Sequence, residues 1–353
     1  MPLPDVLRRL LTAAGPSGYE TAPAAVFTEA ARAFTEDVSV DIMGSAVARV
    51  AGTTPGAPFL AIVGHIDEIG LVVTHIDDNG FLRFVGVGGW DAQILVGQRA
   101  RLITRNGPVA GVVGRKAIHL LREEDRKKVP ELRDLHIDIG AKDGDEARGL
   151  VRIGDVAVIA GEPVELANDR FVSRSMDNRL GAFIALEAAR IVAEAGGAPG
   201  DVAACGVVQE EITFGGARTS AYRLEPDVAI VVDVTHETGS PGVDVNEIGK
   251  HEFGSGPIIE RGSLLNPAVF ELLHAAAERE QIPFTVAASA RSTGTDADAI
   301  HLLRAGIPTG GVSIALRYMH SPVEMVELGD VEACARLIAA FAQSLDPQTS
   351  FAR

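Results

Sequence analysis

Four short, uninterrupted apolar runs constrain the fold of this chain more than any other feature of its sequence. The runs are 58–64 (PFLAIVG), 202–208 (VAACGVV), 228–232 (VAIVV) and 310–316 (GGVSIAL). A strand that is apolar at every position is buried on both faces, as in a parallel sheet that helices cover on each side. Helical patterns alternate with the runs, at about residues 21–36, 178–195, 267–280 and 330–344. The sequence therefore predicts an α/β domain whose sheet is covered by helices.

The stretch from about residue 70 to 163 has a different pattern, because its apolar residues alternate with polar ones. Asp78-Asn79-Gly80 separates two such alternating segments, which is a strong hairpin signal. More runs rich in Val and Ile follow, and one charged segment, LREEDRKKVPELRD, interrupts them. We expect residues 70–163 to form a small β-rich domain inserted into a discontinuous α/β domain of residues 1–69 and 164–353.

Charge and composition exclude several classes of protein. The chain has 48 acidic residues against 32 Lys and Arg, and this formal net charge of −16 argues against a nucleic-acid partner. No apolar run reaches the roughly 20 residues that span a bilayer, and the first fifteen residues lack the apolar core of a signal peptide. Cys205 and Cys334 lie far apart without a CxxC pair, which favours reduced thiols. We expect a soluble, cytoplasmic protein that contacts neither membranes nor nucleic acid.

Polar side chains follow each apolar run within a few residues. They are His65 and Asp67, Glu210 and Glu211, Asp233 and His236, and His320. Ligands of open α/β sheets bind at the carboxyl ends of the strands, so these residues are expected to converge. Asp177 directly precedes a helical pattern, where the residue type alone favours a helix cap over a ligand. A glutamate pair can also be a solvated helix start, and a lone histidine is usually structural. Here the glutamates directly follow a buried run and His65 and His320 each come at the end of one, which favours a functional role for all four.

The mixture of imidazole and carboxylate groups suits Zn²⁺ or Co²⁺ with open coordination positions. Two close metal ions need a shared carboxylate, and Asp177 is a candidate for that bridge. A metal lowers the pKa of bound water, and a carboxylate that does not ligate can accept the proton. Glu210 and Glu211 could divide these two roles between them. Asp67, two residues after His65, could orient that imidazole.

The chain resembles the M42 family of metallo-aminopeptidases, which includes the tetrahedral aminopeptidases. The motifs that carry this resemblance are GPSGYE, GHIDEIG, HLLREEDRK, HIDIGA, MDNRLG, VVQEE, VVDVTH, GTDADAIH and RYMHSPVE, in this order along nearly the whole chain. The resemblance implies a zinc-peptidase fold with a mixed sheet covered by helices in residues 1–69 and 164–353. It also implies that 70–163 is a β-barrel-like, PDZ-like dimerisation domain. It further implies peptide substrates with a free N-terminus and a homo-oligomer built from dimers, up to a dodecamer.

The resemblance also implies a site with two divalent metal ions, Zn²⁺ or Co²⁺. The residues it assigns are His65 and Asp233 to one metal, Glu211 and His320 to the other, Asp177 as the bridge, Glu210 as general base and acid, and Asp67 as the support of His65. The sequence leaves the physiological metal and the preferred N-terminal side chain open.

The chain departs from the family pattern after the glutamate pair. Family members commonly continue with a run similar to Val-Gly-Leu-Arg-Gly-Ala, whereas here Thr213, Phe214 and Gly215 follow Ile212. This difference affects the expected start of the next helix or nearby substrate contacts rather than the metal chemistry.

Other polar motifs have less specific interpretations. The segment STGTDAD (292–298) predicts a helix N-terminus capped by Thr295 or Asp296, and the resemblance adds a role near the active site, in assembly or substrate fit. The segment GVGG (86–89) is not a GxGxxG motif before a helix and predicts a β-turn. His236 has no assigned role. His251 and Glu252, in a glycine-rich connection, are expected at the surface and not as ligands.

Three other functions compete with the aminopeptidase assignment. A different di-metal hydrolase could remove an acyl group or a C-terminal residue with the same ligands. Paired carboxylates also occur in glycosidases, although that function leaves His65 and His320 unexplained. A non-catalytic assembly subunit would have lost a ligand or the base, whereas every one of these residues is present.

Overall fold

The four apolar runs lie side by side in the computed structural model, which describes residues 1–352. The strands are β1 (Val38–Val40), β2 (Ala46–Val50), β3 (Leu60–His65), β4 (Gly70–Ile76), β5 (Leu82–Val87), β6 (Arg99–Thr104), β7 (Gly107–Arg115), β8 (Leu135–Asp138), β9 (Val156–Ile159), β10 (Val164–Leu166), β11 (Arg170–Ser173), β12 (Val202–Val207), β13 (Val228–His236), β14 (Ile258–Gly262), β15 (Thr285–Ser289), β16 (Thr309–Leu316) and β17 (Glu324–Glu327). The helices are α1 (Asp5–Thr12), α2 (Thr21–Ala31), α3 (Ala92–Leu95), α4 (Glu123–Arg126), α5 (Gly144–Leu150), α6 (Met176–Glu194), α7 (Glu210–Thr213), α8 (Gly215–Leu224), α9 (Val245–Ile248), α10 (Pro267–Arg279), α11 (Ala297–Ile300) and α12 (Leu328–Ser344), with 3₁₀ turns at Ile118–Leu120 and Leu132–Asp134.

The central sheet has eight strands in the order β1-β2-β12-β3-β13-β16-β14-β15. Strands β12, β3, β13 and β16 are parallel to one another, and they contain the four apolar runs. Strands β2 and β14 flank them in the antiparallel direction, which makes the sheet mixed. The predicted α/β fold class is therefore confirmed.

Strand β3 illustrates why the runs are apolar at every position. Leu60 and Ile62 belong to a core that includes residues of α6 and α12, while Ala61 and Val63 pack on the opposite face with residues of α8. Because successive side chains of a strand point to opposite faces, only an unbroken apolar sequence satisfies both layers. Helices therefore cover the sheet on each side, as the sequence predicted.

Two glycines let helix α6 lie directly on strand β3. A Cβ atom added to Gly64 would lie 2.3 Å from the carbonyl carbon of Gly181 in α6. Side chains at these positions would push the helix away from the sheet, so the close approach requires glycine. Since His65 follows Gly64 and Asp177 lies one turn before Gly181, this contact fixes the distance between two candidate ligands.

The stretch after β3 forms a closed barrel in the order β4-β5-β8-β7-β6-β9. Its own core includes Leu71, Leu82, Leu102 and Ile137. The predicted hairpin joins β4 to β5, with Gly80 at a φ of 89°. The inserted small β-barrel is thus confirmed. The division at residues 69/70 and 163/164 and the dimerisation role of the barrel stay predictions.

None of the helices within residues 1–352 is both long and apolar enough to cross a membrane.

Candidate metal centre

His65 and Asp233 come together because their strands are neighbours. Val63 of β3 pairs with Val231 of β13 in parallel register, which places the residues two positions further, His65 and Asp233, at the same level. His65 is the last residue of its strand, whereas Asp233 lies inside β13, which continues to His236 and is longer than its apolar run. Ligand atoms of His65, Asp233 and Glu210 all lie within 4.8 Å of one another. The carboxyl edge of the parallel strands thus gathers these residues as expected.

Asp177 lies between two imidazole rings. Its Oδ1 atom is 3.2 Å from Nε2 of His65, and its Oδ2 atom is 3.4 Å from Nε2 of His320. The capping role belongs to the next residue, because Asn178 Oδ1 accepts a hydrogen bond of 2.8 Å from the backbone N–H of Gly181. Asp177 has non-helical backbone angles within α6, and its side chain is directed at the cluster instead. This geometry is that of a carboxylate shared by two ligand groups.

Asp67 holds the glutamate pair in place as well as His65. Its Oδ1 accepts from the backbone N–H of Glu210 at 3.1 Å, and its Oδ2 accepts from that of Glu211 at 3.2 Å. The same carboxylate lies 3.4 Å from Nδ1 of His65 and accepts from the hydroxyl of Ser17 at 2.6 Å. Asp67 is fully buried. One carboxylate therefore fixes the positions of three other residues of the cluster.

The two glutamates face different histidines. Oε2 of Glu210 lies 3.7 Å from Nε2 of His65, and Oε2 of Glu211 lies 3.4 Å from Nε2 of His320. The other oxygen of Glu211, Oε1, is buried and has no hydrogen-bond partner among the described residues. A buried carboxylate oxygen without a donor is costly unless a cation occupies the space beside it.

Glu324 joins the loops that carry Asp177 and His320. Its two oxygens accept from the backbone N–H of His320 at 2.9 Å and from that of Asp177 at 3.1 Å, and its side chain is buried. This residue was not among the candidates from the sequence, although it closes the motif RYMHSPVE. A carboxylate four residues after a candidate histidine ligand was the signal that could have identified it.

A second buried ion network lies behind the cluster. Glu68, directly after Asp67, pairs with Arg174 and, at 3.3 Å, with Arg179. Glu68 Oε1 also accepts from the backbone N–H of Gly15 at 3.0 Å. All three charged side chains are buried. Glu68 therefore ties the loop after β3 to the segment that precedes Asp177, a function that the sequence did not reveal.

The electrostatics of the cluster depend on which charges are paired. Asp177 and Glu211 raise the pKa of His320 to about 11. Burial lowers the pKa of His65, but Glu210, Asp177 and Asp67 outweigh that effect and leave it well above its usual value. Burial would raise the pKa of Asp177, yet the His320 and His65 imidazoles hold it below its usual range.

Two other carboxyls resist ionisation. Burial raises the pKa of Glu210 to about 8, with His65 opposing and Asp296 adding to the shift. Burial, against the effect of His65, also raises the pKa of Asp233 well above its usual value. Carboxylates crowded in this way are relieved by cations. Together with the free oxygen of Glu211, the donor set of imidazoles and carboxylates fits divalent metal ions such as Zn²⁺ or Co²⁺.

The remaining sequence candidates have mixed outcomes. His251 was expected at the surface, and that prediction is wrong: the ring is buried, and its Nδ1 lies 2.8 Å from the Thr285 hydroxyl. Glu252 is exposed, as predicted. Thr295 caps the helix start by accepting from the Ala297 N–H at 3.2 Å.

Three further candidates differ in their surroundings. Asp296 is buried, and its Oδ1 has no hydrogen-bond partner in the part of the chain that is described. His236 is exposed. In the segment that departs from the family pattern, Phe214 takes a left-handed conformation at the junction of α7 and α8.

A cluster of His and carboxylate side chains at the carboxyl edge of a mixed α/β sheet is the kind of site that metal-dependent hydrolases use. Residues 44–337 match the model of a family described as M42 glutamyl aminopeptidase. The chain therefore belongs to the M42 family of aminopeptidases, hydrolases that act on peptide bonds.

Known relatives are similar over nearly the whole chain. The lysyl aminopeptidase of Pyrococcus furiosus is 33% identical over 348 residues, which cover 97% of each chain. The TET aminopeptidase of a marine sediment Thaumarchaeota archaeon superposes with a TM-score of 0.91 at 34% identity, over 97% of this chain and 96% of that one. The TET1 peptidase of Pyrococcus horikoshii superposes with a TM-score of 0.85 at 30% identity, over 97% of this chain and 99% of that one. That peptidase can assemble into a tetrahedron or a large octahedral shell.

Proposed function

We propose that this protein is an aminopeptidase that uses two divalent metal ions to remove N-terminal residues from peptides with a free N-terminus. The observation that carries the proposal is the Asp177 carboxylate, whose two oxygens face the imidazoles of His65 and His320 from opposite sides. A carboxylate in this position would be shared by two divalent ions, one beside each imidazole. A site with a single ion would leave one of the imidazoles without a partner of this kind.

The ligand sets follow from the neighbours of each imidazole. His65 and Asp233 would hold one ion, and Glu211 and His320 the other, with Asp177 between them. Both glutamates are within ligand range of His65, Glu210 together with Asp233 and Glu211 together with Asp177. The contact of Glu211 with His320 is the shorter one, and Glu211 is the more buried side chain. Both points support Glu211 as the ligand and Glu210 as the base.

Divalent ions held there would polarise a substrate carbonyl and lower the pKa of a water molecule, and either Zn²⁺ or Co²⁺ suits these donors. Glu210 then accepts the proton of the attacking water and gives it to the amine that leaves the cleaved peptide bond. Asp67 positions this base by accepting from the Glu210 backbone N–H, and it keeps the His65 ring oriented. Glu324 holds the loops of Asp177 and His320 at a constant spacing.

The proposal includes a homo-oligomer built from dimers through the barrel of residues 70–163, in the cytoplasm. Structural relatives that assemble into dodecamers or tetrahedral shells support it. Large apolar side chains also lie exposed on the inserted stretch, among them Ile118, Leu120 and Val129. If these side chains form one contiguous patch, it is the kind of surface that another chain covers. Light scattering of the protein measures the subunit number, and a monomer at micromolar concentration would contradict this part.

Hydrolysis of matched free and N-acetylated peptides tests the function. We expect the protein with added Zn²⁺ or Co²⁺ to cleave only the free peptides and to lose activity when a chelator removes the metal. Glu210→Gln should keep its bound metal and lose a factor of about 10² to 10⁴ in rate, the usual contribution of a general base. Glu252→Gln, at the surface and outside the cluster, is the matched control and should retain full activity.

Three results would redirect the assignment. Equal cleavage of acetylated peptides would favour a deacylase or a carboxypeptidase. Activity on β-glucans that survives chelation would favour a glycosidase. Full activity of Glu210→Gln would remove this residue from the mechanism.

A further inference from the structure

The turn that follows strand β5 reaches out of the barrel and contacts the candidate metal centre. The Gly89 carbonyl lies 3.0 Å from Nδ1 of His320, although the two residues are 231 positions apart. A carbonyl oxygen can only accept a hydrogen bond, so Nδ1 must carry the proton in this contact. A metal ion that displaced the other ring proton would therefore meet the lone pair of Nε2, the atom that faces Asp177 and Glu211.

Both glycines of the same turn lie so close to the centre that a Cβ atom at either position would crowd a neighbouring side chain. A Cβ added to Gly89 would lie 3.3 Å from Nδ1 of His320. A Cβ added to Gly88 would lie 3.3 Å from Oε2 of Glu211 and 2.5 Å from Cγ2 of Ile69. Gly88 also has a φ of 74°, in the region that favours glycine. Two consecutive glycines thus face the two side chains assigned to the same metal ion.

Trp90 anchors the turn to the barrel. Its indole Nε1 donates a hydrogen bond of 2.8 Å to the carbonyl of Gly70, the first residue of β4. Position 89 therefore moves with the barrel and not independently of it. The segment GVGG, for which the sequence predicted a β-turn, instead ends strand β5 at Val87 and bends at Gly88. Its contacts give it a role that its sequence does not suggest.

We propose that the Gly88–Gly89 turn is a positioning element of the metal centre. Its Gly89 carbonyl holds the His320 ring in the tautomer that presents Nε2 to the metal, and its lack of side chains leaves Glu211 free to ligate. Hydrogen bonds to the distal nitrogen of a ligating histidine typically change metal affinity by about 10- to 100-fold. The inference rests on the proposed two-metal function, and it assigns the inserted barrel a part in the binding of one ion.

Titration of the metal-free protein with Co²⁺ tests this role, with visible absorption and bound-metal analysis as readouts. Wild type is expected to bind two ions, and His320→Ala is expected to lower the affinity for one of them. Gly89→Ala should lower the affinity for the same ion by about 10-fold or more. It should add little in a double variant with His320→Ala, because both changes act on one ligand.

Matched glycine variants separate positioning from backbone effects. An alanine at Gly161 meets no atom within 4 Å, which makes Gly161→Ala the control for Gly89→Ala. Gly97 has a φ of 84° and open space around it, so Gly97→Ala is the control for Gly88→Ala. Equal Co²⁺ affinities in Gly89→Ala and Gly161→Ala would overturn the inference even if Gly88→Ala failed to fold. A wild type that binds only one ion would instead overturn the two-metal function itself.

Discussion

Removal of the charge of Glu68 should destabilise the protein far more than removal of a surface charge. In Glu68→Gln, the side chain keeps its shape, but the guanidinium groups of Arg174 and Arg179 lose their anionic partner. Arg174 is 6% exposed and Arg179 is fully buried. Burial already lowers the pKa of Arg179 to about 10, and Glu68 is the main group that opposes this shift. Without it, two positive charges remain close together in a water-excluded site.

The expected loss follows from the cost of an unpaired buried charge. Breaking a buried pair by removing one partner typically costs about 3–5 kcal/mol. The unfolding entropy of about 2.1 cal/mol/K per residue gives roughly 0.7 kcal/mol/K for a chain of 353 residues. The melting temperature should therefore fall by about 4–7 °C.

Thermal unfolding of metal-free wild type, Glu68→Gln and Glu187→Gln is the assay. Glu187 pairs with Arg190 on the outer side of α6, and both side chains are partly exposed, at 26% and 37%. Such a pair contributes at most about 1 kcal/mol, so the control should shift the melting temperature by less than about 2 °C. Equal shifts in the two variants would refute the reasoning, because they would show that the buried arginines do not depend on Glu68.

Three more results are expected from the geometry of the cluster. The folded pKa of Glu210, about 8, exceeds its ordinary 4.5, so this group's stabilising contribution is complete below pH 4.5 and is lost as pH rises through 8. Metal added to the metal-free protein should therefore raise the melting temperature more at pH 8 than at pH 5. An equal rise at both pH values would contradict this. Asp296→Asn removes a negative charge near Glu210 and should lower the pKa of that base. The acid limb of the pH–rate profile should then move to lower pH. A limb at the same or a higher pH would show that Asp296 does not influence the pKa of Glu210. Gly64→Ala forces a methyl group into the backbone of Gly181 and should destabilise the fold by at least the 1–3 kcal/mol typical of overpacking, measured by denaturant unfolding; unaltered stability would show that α6 can move away freely.

The convergence of the candidate ligands could be predicted from the sequence because most of them lie at or near the carboxyl ends of buried strands. His65 ends a strand that is buried on both faces, the glutamate pair follows another, and Asp233 directly follows the apolar run within β13. Such strands are visible in the sequence as apolar runs. Strands β14 and β15 were missed for the same reason. Their sequences, IIERG and TVAAS, contain polar residues and leave several side chains partly exposed near the edge of the sheet.

Contacts between distant segments were beyond the reach of sequence patterns. Nothing local to Glu68 shows that two arginines more than a hundred positions away will surround it. His251 looked like a surface residue because glycine and charged residues flank it, but the fold packs it between Thr238 and Thr285. The role of Gly89 likewise depends on how the barrel meets the sheet, which no local pattern encodes.

The contact between Gly64 and Gly181 makes the distance between His65 and Asp177 independent of which residues fill the core. Where two backbones touch, no side chain can change its rotamer or its size, so van der Waals contact between backbone atoms sets the distance between the helix and the sheet. Neighbouring core residues such as Leu60 and Leu180 can be exchanged for others of similar volume while that distance persists. The spacing of His65 and Asp177 is therefore insulated from the gradual replacement of core residues, and a lineage of such proteins can vary its interior freely without retuning the chemistry.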